Sequence, residues 1–342
     1  MLTDKEITQI REELDNCKRP MFFFHDDPDG LASFLLLYRR IKEGRGFCLK
    51  AFPQLNKAHA NKAKDYDADK VFVLDIAMVD QEFIDELKVP VIWIDHHEPV
   101  QRDRVKYFNP RVNNETENIP VSYLCYKVVE EDQWIAMVGC LGDWYIPDFA
   151  NEFREKYPDL MPAKYKTAAE ILFETKMSIL NKVFSFNLKS NTPDVLKSIK
   201  VMTRINSPYE ILDQSTPKGK LVYKRYEKIN KIYDELKERL LKQKTDKKVQ
   251  VFRYTEDKLS LTKDLSNEFL YMFQDSIVVL GREKSGEMRC SVRSMKTNLK
   301  PIMEKALMGV EGYGGGHEHA CGCAIKVHDF DKFISNIEKQ LP

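Results

Sequence analysis

The chain has 342 residues, of which 43% are hydrophobic and 31% charged, and its formal net charge is +1. This composition is typical of a folded chain with room for two domains, and it excludes a disordered protein. The small net charge excludes a bulk attraction to nucleic acid or membranes, so such an attraction needs a local patch. No apolar run approaches the roughly 20 residues that cross a bilayer, and we expect no membrane partner.

The N-terminal segment and the cysteines indicate a cytoplasmic protein. Residues 3–18 predict an amphipathic helix capped by Thr3, with Ile7, Ile10 and Leu14 at helical spacing. This segment is charged and lacks the apolar core of a signal peptide. The seven cysteines are scattered without a CxxC pair, which favours reduced thiols over a disulfide framework or a zinc ribbon.

Three short apolar runs follow, and each ends in acidic residues. They are MFFFHD at 21–26, VFVLDIA at 71–77 and VIWIDHH at 91–97, with helical patterns between them. Apolar strands separated by helices predict an α/β fold whose parallel sheet is covered by helices on both faces. Ligand sites of such sheets lie at the carboxyl ends of the strands, so we expect the acidic residues to share one crevice.

The second half of the chain changes character. A Lys-rich helical stretch at about 160–245 is better explained by a solvated helix face than by a nucleic-acid patch, because acidic residues are interspersed. From about 249, three strand patterns and a Gly-rich turn indicate a smaller α/β unit. We therefore predict a domain at 1–155, a helical connector at 156–247 and a second domain at 248–342.

The acidic clusters contain enough carboxylate and imidazole groups for a metal centre. Mixed ligands of these two kinds suit Mn²⁺, Fe²⁺ or Zn²⁺ better than Ca²⁺. The groups outnumber the needs of one ion, whereas two ions about 3.5–4 Å apart would use them all. The candidates are His25, Asp27, Asp29, Asp75, Asp95, His96, His97 and Asp143.

Each candidate also has a simpler explanation. An aspartate at the end of a strand is usually a helix cap or a turn residue, and Asp29 before Gly30 fits a cap of the following helix. The pair His96–His97 is harder to explain in this way, because strand geometry directs the two rings to opposite sides. Four such clusters in order at strand ends favour the metal centre.

These motifs resemble those of a known family. IDHHEP at 94–99, preceded by HDDPDG and an Asp-ended strand and followed by GD, resembles the four motifs of the DHH phosphoesterase superfamily. SVRS at 291–294 and GYGGGHEHACG at 312–322 resemble the signature of the associated DHHA1 domain. The His-x-Asp-x-Asp-Gly form of the first motif is similar to the RecJ-like branch, especially its archaeal members.

The resemblance implies roles for the residues of the first domain. It implies two Mn²⁺ ions, with Mg²⁺ as a substitute, and Asp29 as a further ligand or a supporting group. His97 would contact the substrate phosphate or act as an acid, and Asp95 would orient a histidine. The implied metal ligands are His25, Asp27, Asp75, His96 and Asp143.

The resemblance also implies a phosphate-binding site in the second domain. Arg293 and His317 would bind the phosphate, and the backbone amides of Gly314, Gly315 and Gly316 would surround it. Glycines allow such close approach of the backbone, although a bare turn is the simpler explanation. Cys321 and Cys323 we expect to be small core residues, not ligands.

The function that follows is metal-dependent hydrolysis of single-stranded DNA, RNA or short oligonucleotides from an end. Trp144, Tyr145 and Tyr313 are candidate base-stacking residues, although each is individually better explained by packing. One alternative is a small-substrate enzyme for nucleoside 3′,5′-bisphosphate or cyclic dinucleotides. Another is a subunit or scaffold of a replication or repair complex, and replication or repair partners and a homo-oligomer stay open.

Overall fold

The computed structural model describes residues 1–49, 54–255 and 259–341. The chain divides into two compact units, Met1–Glu227 and Lys228–Pro342. The division falls inside a long helix, Pro217–Leu241. The three-part division predicted from the sequence, with boundaries after residues 155 and 247, stays a prediction.

The first unit is built on a parallel sheet surrounded by helices. Its strands are β1 (Pro20–His25), β2 (Arg45–Leu49), β3 (Lys70–Leu74), β4 (Val91–Ile94) and β5 (Lys106–Phe108). Its helices in the described residues are α1 (Asp4–Asp15), α2 (Pro28–Ile41), α3 (Ala60–Tyr66), α4 (Gln81–Glu86), α5 (Val121–Val129), α6 (Gln133–Gly142), α7 (Ala150–Lys156), α8 (Ala168–Glu174), α9 (Met177–Asn187), α10 (Thr192–Met202), α11 (Pro208–Leu212) and the start of α12 (Pro217–Leu241). Short 3-10 helices lie at Lys57–His59 and Pro110–Val112.

The sheet has the strand order β2-β1-β3-β4-β5, and all of its pairs are parallel. Successive phenylalanines of β1 face opposite sides, as the period of a strand requires. The ring of Phe24 stacks on Phe34 of α2 at 4.8 Å between centroids, whereas Phe23 meets Phe83 of α4 at 5.4 Å. Both faces are therefore covered by helices, which confirms the predicted architecture.

The N-terminal helix is also confirmed, and it ends at Asp15 instead of residue 18. Thr3 and Glu6 form a reciprocal capping box, and Ile10 and Leu14 are buried. The sequence did not indicate the two edge strands β2 and β5. Apart from Leu49 and Phe108, their residues are polar or only partly buried, so they lack the continuous apolar run that marks the three inner strands.

The helical middle of the chain runs from α8 to α12, as predicted. Arg39 of α2 anchors it, because its guanidinium donates to the carbonyl oxygens of Thr203 and Ile205 and pairs with Asp132. Across the described ranges, every helix is either too short or too polar to traverse a bilayer.

The second unit is a smaller mixed sheet with helices. It contains β6 (Val249–Thr255), β7 (Ile277–Lys284), β8 (Glu287–Arg293), β9 (Gly312–Gly316) and β10 (Ala320–Lys326), together with α13 (Thr262–Met272), α14 (Leu299–Ala306), a 3-10 helix (Val327–Asp329) and α15 (Phe330–Glu338). The order is β6-β7-β8-β10-β9, in which β6 and β7 are parallel and the other pairs are antiparallel. This arrangement confirms the predicted α/β unit.

The glycine-rich segment was wrongly predicted as a turn. Gly312–Gly316 forms β9, the edge strand beside β10. A Cβ atom on Gly314 would lie 2.5 Å from the Cβ of Cys323, so glycine is what allows the two strands to approach. Cys321 and Cys323 are buried in the core of this unit, as predicted.

Candidate metal centre

The predicted metal-binding residues of the first unit meet at the carboxyl edge of its sheet. The loops after β1, β3 and β4 provide three of the clusters, and the end of α6 provides the fourth. The side chains form three overlapping groups whose donor atoms lie within 4.8 Å of one another: His25–Asp27–Asp75, Asp75–His96–His97 and Asp29–His96–Asp143. Residues that are far apart in the sequence, from His25 to Asp143, therefore share one site.

The first half of the centre lies where β1 gives way to α2. His25 Nδ1 lies 2.9 Å from Asp27 Oδ2 and 3.4 Å from Asp75 Oδ2. Asp27 also caps α2, because its other oxygen accepts the Gly30 amide. A Cβ on Gly30 would lie 2.5 Å from the His25 carbonyl oxygen, so glycine allows the helix to begin against the strand end.

The second half joins three elements. His96 Nε2 lies 3.3 Å from Asp75 Oδ1 and 3.3 Å from Asp143 Oδ2. Asp143 directly follows Gly142, the last residue of α6. Asp29, in the first turn of α2, completes this group and is fully buried. The side-chain cap of α2 is Asp27 and not Asp29. The explanation of Asp29 as a cap of this helix is therefore wrong.

Asp75 stands between the two halves. Its oxygens face different histidines, Oδ2 toward His25 and Oδ1 toward His96. It has a φ of 57°, a left-handed conformation that costs free energy for a residue other than glycine. Among the described residues, its buried Oδ2 has no hydrogen-bond partner. A buried carboxylate oxygen in this state is a fitting ligand for a cation.

The electrostatics of the cluster also fit a cation. Burial lowers the pKa of His96, but the hydrogen bond to Asp75 and the charges of Asp143 and Asp75 outweigh it and raise the pKa to about 10. Burial and the charges of Asp75 and Asp143 raise the pKa of Asp29 well above its usual range. These shifts reflect the crowding of carboxylates around His96, and bound divalent ions would offset the same negative charge.

Asp95 binds the ring of His97, whose Nδ1 also lies 3.9 Å from Asp75 Oδ1. Its Nδ1 lies 2.8 Å from Asp95 Oδ1, and its backbone amide donates to Asp95 Oδ2. Asp95 is fully buried, whereas the side chain of His97 is 27% exposed. Asn109 adds a hydrogen bond to the His97 carbonyl oxygen. Nδ1 of His97 is therefore bound to the Asp95 carboxylate, and the rest of the ring lies at the surface of the site.

The predicted phosphate-binding residues lie in the second unit. Arg293 ends β8, and its guanidinium donates to the carbonyl oxygens of Val292 and Cys321 at 3.0 Å. Burial lowers the pKa of Arg293 to about 10, so it stays charged at neutral pH. His317 follows β9, and its backbone amide donates to the Ala320 carbonyl oxygen at 2.9 Å.

The glycine strand presents some of its amides away from β10. Hydrogen-bonded and non-bonded pairs alternate along an antiparallel ladder. Because the pair His317–Ala320 is bonded and Gly315 is opposite Gly322, the amide of Gly315 lies inside the ladder. The amides of Gly314 and Gly316 consequently point to the free edge of β9.

The candidate stacking residues differ in their exposure. Trp144 packs on Phe173 at 6.0 Å and Tyr145 on Tyr123 at 5.5 Å, which fits the packing explanation. Tyr313, by contrast, is 69% exposed on β9.

Two groups that contact the site were missed by reasoning from the sequence. Asn109 lies beside His97, and Ser122 lies beside Asp29. No motif or period marks either residue, so no signal in the sequence could have found them.

Comparison with known families identifies the two parts of the chain. Residues 21–141 match the DHH family, N-terminal domain, and residues 255–341 match the DHHA1 domain. The chain belongs to the DHH/DHHA1 superfamily and has the fold of a DHH-family phosphoesterase. Among curated proteins, none matches this sequence.

Solved structures share this fold at low sequence identity. RecJ from Thermus thermophilus in complex with Mn²⁺ matches 99% of this chain with a TM-score of 0.69 and 17% identity. This chain spans only 55% of that RecJ chain. A manganese-bound exonuclease RecJ matches with a TM-score of 0.63, 16% identity and coverage of 99% and 94%. The pGpG-specific phosphodiesterase PggH from Vibrio cholerae matches at 0.51, with 16% identity and coverage of 94% and 98%.

Proposed function

We propose that this protein is a two-metal phosphodiesterase that hydrolyses single-stranded nucleic acid or short oligonucleotides from an end. The observation that carries this proposal is the position of Asp75. One of its oxygens lies 3.4 Å from His25 Nδ1 and the other lies 3.3 Å from His96 Nε2. A carboxylate with this position is suited to bridge two cations.

The two ions would be held by different residue groups. His25, Asp27 and Asp75 would hold the first ion, and Asp29, His96 and Asp143 would hold the second together with Asp75. Two bound divalent ions supply an activated water and neutralise charge on the phosphate. We propose Mn²⁺, with Mg²⁺ as a substitute, because carboxylate–imidazole sites accept Mn²⁺ and RecJ structures contain both ions.

His97 would act on the substrate and not on the ions. Asp95 binds its Nδ1, and we assign its Nε2 to a phosphate oxygen or to the leaving oxygen. In the second unit, Arg293, His317 and the outward amides of Gly314 and Gly316 would bind a phosphate, while Gly315 would contribute a surface without a side chain. Protein partners, self-association and a cytoplasmic location stay predictions from the sequence.

The preference for single strands is supported by the burial of the site. Asp29, Asp75, Asp95 and His96 are all at most 8% exposed. We infer that a single strand or a dinucleotide reaches such buried side chains more readily than a duplex, whose two backbones form wide walls. The chain, with a net charge of +1, also lacks the excess of basic residues that favours duplex binding.

A small-substrate phosphodiesterase is the second candidate. The same burial admits a dinucleotide as readily as a strand end, and the fold is shared with a pGpG-specific enzyme. A scaffold without activity is less well supported, because all five residues expected to bind metal are present and lie together.

One assay panel tests these proposals. The protein is incubated with Mn²⁺ and, separately, with linear single-stranded DNA or RNA, circular strands of the same sequence, a duplex and pGpG. We expect linear single strands to be degraded and circles and duplexes to resist. Equal cleavage of circles would contradict end recognition, and cleavage of pGpG alone would favour the second candidate. Full activity after exhaustive chelation would contradict a metal-dependent mechanism.

A further inference from the structure

Asp29 is bound by a helix that the DHH motifs do not include. Its Oδ2 accepts the Val121 amide at 2.9 Å, and its Oδ1 accepts the Ser122 amide at 2.9 Å and the Ser122 hydroxyl. These partners lie 92 and 93 positions further along the chain, in the first turn of α5. Asp29 therefore replaces a side-chain cap for α5, since Pro120 at its N-cap provides none.

Ser122 itself is held in place by α6. It is fully buried, and a Cβ atom on Gly139 of α6 would lie 2.5 Å from its hydroxyl oxygen. The thiol of Cys140 lies 3.8 Å from the same oxygen. This packing fixes the hydroxyl against Asp29. The same helix ends immediately before Asp143, so α6 supports two members of the second half of the metal centre.

We propose that Ser122 is a positioning residue for the second metal ion and acts through Asp29. A carboxylate offers about four lone-pair positions, and three donors from α5 occupy the side that faces that helix. The carboxylate cannot rotate without breaking them. One position on Oδ2 remains, and Asp29 forms one group with His96 and Asp143, whose donor atoms lie within 4.8 Å. This inference rests on the proposed two-metal function.

A purely structural role for Ser122 makes a different prediction. Loss of a buried hydrogen bond lowers the stability of the fold whether or not an ion is bound. Loss of a group that orients a metal ligand also weakens ion binding, typically about 10- to 100-fold. Mn²⁺ affinity, measured without any substrate, therefore separates the two roles.

Ser33 provides a matched control. It is also fully buried, and its hydroxyl also donates to Asp29, but to the backbone carbonyl oxygen at 2.8 Å and not to the carboxylate. Ser33→Ala removes a buried hydroxyl bonded to the same residue without freeing the carboxylate. The pair of variants thus differs in the one contact that the inference concerns.

The experiment is calorimetric titration of the full chain with Mn²⁺ for wild type, Ser122→Ala and Ser33→Ala. Thermal unfolding in chelator first establishes that each variant is folded. We expect wild type to bind two ions, Ser122→Ala to bind one of them about 10- to 100-fold more weakly, and Ser33→Ala to match wild type. Activity is not needed for this measurement.

Three outcomes would overturn the inference, and each has a different meaning. If Ser122→Ala binds both ions as wild type does, Ser122 has only a structural role and the two-metal function stands. If wild type binds no Mn²⁺, the proposed function fails and the inference fails with it. A variant that loses both ions equally would also contradict an action through Asp29 alone.

Discussion

The candidate sites of the two units are built from different groups. In the first unit, carboxylates and imidazoles from four segments meet at the carboxyl edge of a parallel sheet, where most of them are buried. In the second unit, the corresponding motif is an exposed strand of glycines beside Arg293 and His317. A metal centre needs many side chains held rigidly, whereas an anion can be bound by backbone amides once side chains are absent. The difference predicts separate roles for the units, which mutations can test one at a time.

The largest effect is expected from Asp75→Asn. The amide keeps the shape of the side chain but cannot bridge two ions, so we expect turnover to fall at least about a thousandfold, as the loss of several kcal/mol of metal-ion stabilisation implies. Metal content, measured by elemental analysis, should fall with it. Because Asp75 also lies next to His25 and His96, the unfolding temperature in chelator must be measured for the same preparation.

The control for this variant is Asp65→Asn on the exposed surface of α3. It removes the same charge from the same unit and should change neither turnover nor metal content. An Asp75→Asn protein that kept two ions would contradict the assignment of Asp75 as their shared ligand.

The convergence of the candidate metal ligands was predictable because these residues obey a simple rule of topology. Asp75 and the pair His96–His97 each follow an apolar strand, and parallel neighbours end at one edge of the sheet. The three inner strands were recognisable for the same reason, since their apolar runs are uninterrupted. Local pattern and global fold agree at these positions, so reasoning from the sequence brings these side chains together.

The contacts that sequence reasoning missed depend on pairing between distant segments. Ser122 meets Asp29 only because α5 packs on α2, and no local pattern encodes that approach. The strand Gly312–Gly316 has no side-chain alternation, so its residues indicate a turn, and only pairing with β10 makes it a strand. Tertiary contacts decide structure where the local signal is absent or misleading.

A smaller effect is expected from His97→Asn. This variant tests whether His97 acts as an acid while other residues of the first unit bind the ions. Loss of a general acid typically costs about 10²–10⁴-fold in rate, so we expect kcat to fall in this range while metal content stays unchanged. His328→Asn, at an exposed histidine of the second unit, is the control. Loss of an ion from His97→Asn would instead place His97 among the ligands, alongside Asp75 and His96.

Arg293→Ala should affect substrate binding without affecting the metal. A hydrogen bond to a charged group contributes about 1.5–3 kcal/mol, which corresponds to roughly a 10- to 100-fold rise in KM. Because Arg293 also binds two backbone carbonyl oxygens, the unfolding temperature must be measured for the same preparation. Arg289→Ala, earlier on the same face of β8 and exposed, should leave KM unchanged. Loss of metal from Arg293→Ala would contradict the separation of roles between the units.

The smallest effect is expected along the glycine strand, where two neighbouring residues make opposite predictions. A Cβ atom on Gly315 would meet no atom within 4 Å, whereas one on Gly314 would lie 2.5 Å from the Cβ of Cys323. Gly314→Ala should therefore destabilise the protein by about 1–3 kcal/mol, the usual cost of overpacking, as measured by denaturant unfolding. Gly315→Ala should leave stability unchanged and raise KM a few-fold, because a methyl group would then stand where we propose that the phosphate approaches. If Gly315→Ala binds substrate as wild type does, the glycines serve only the pairing of β9 with β10, and phosphate binding would fall to Arg293 and His317.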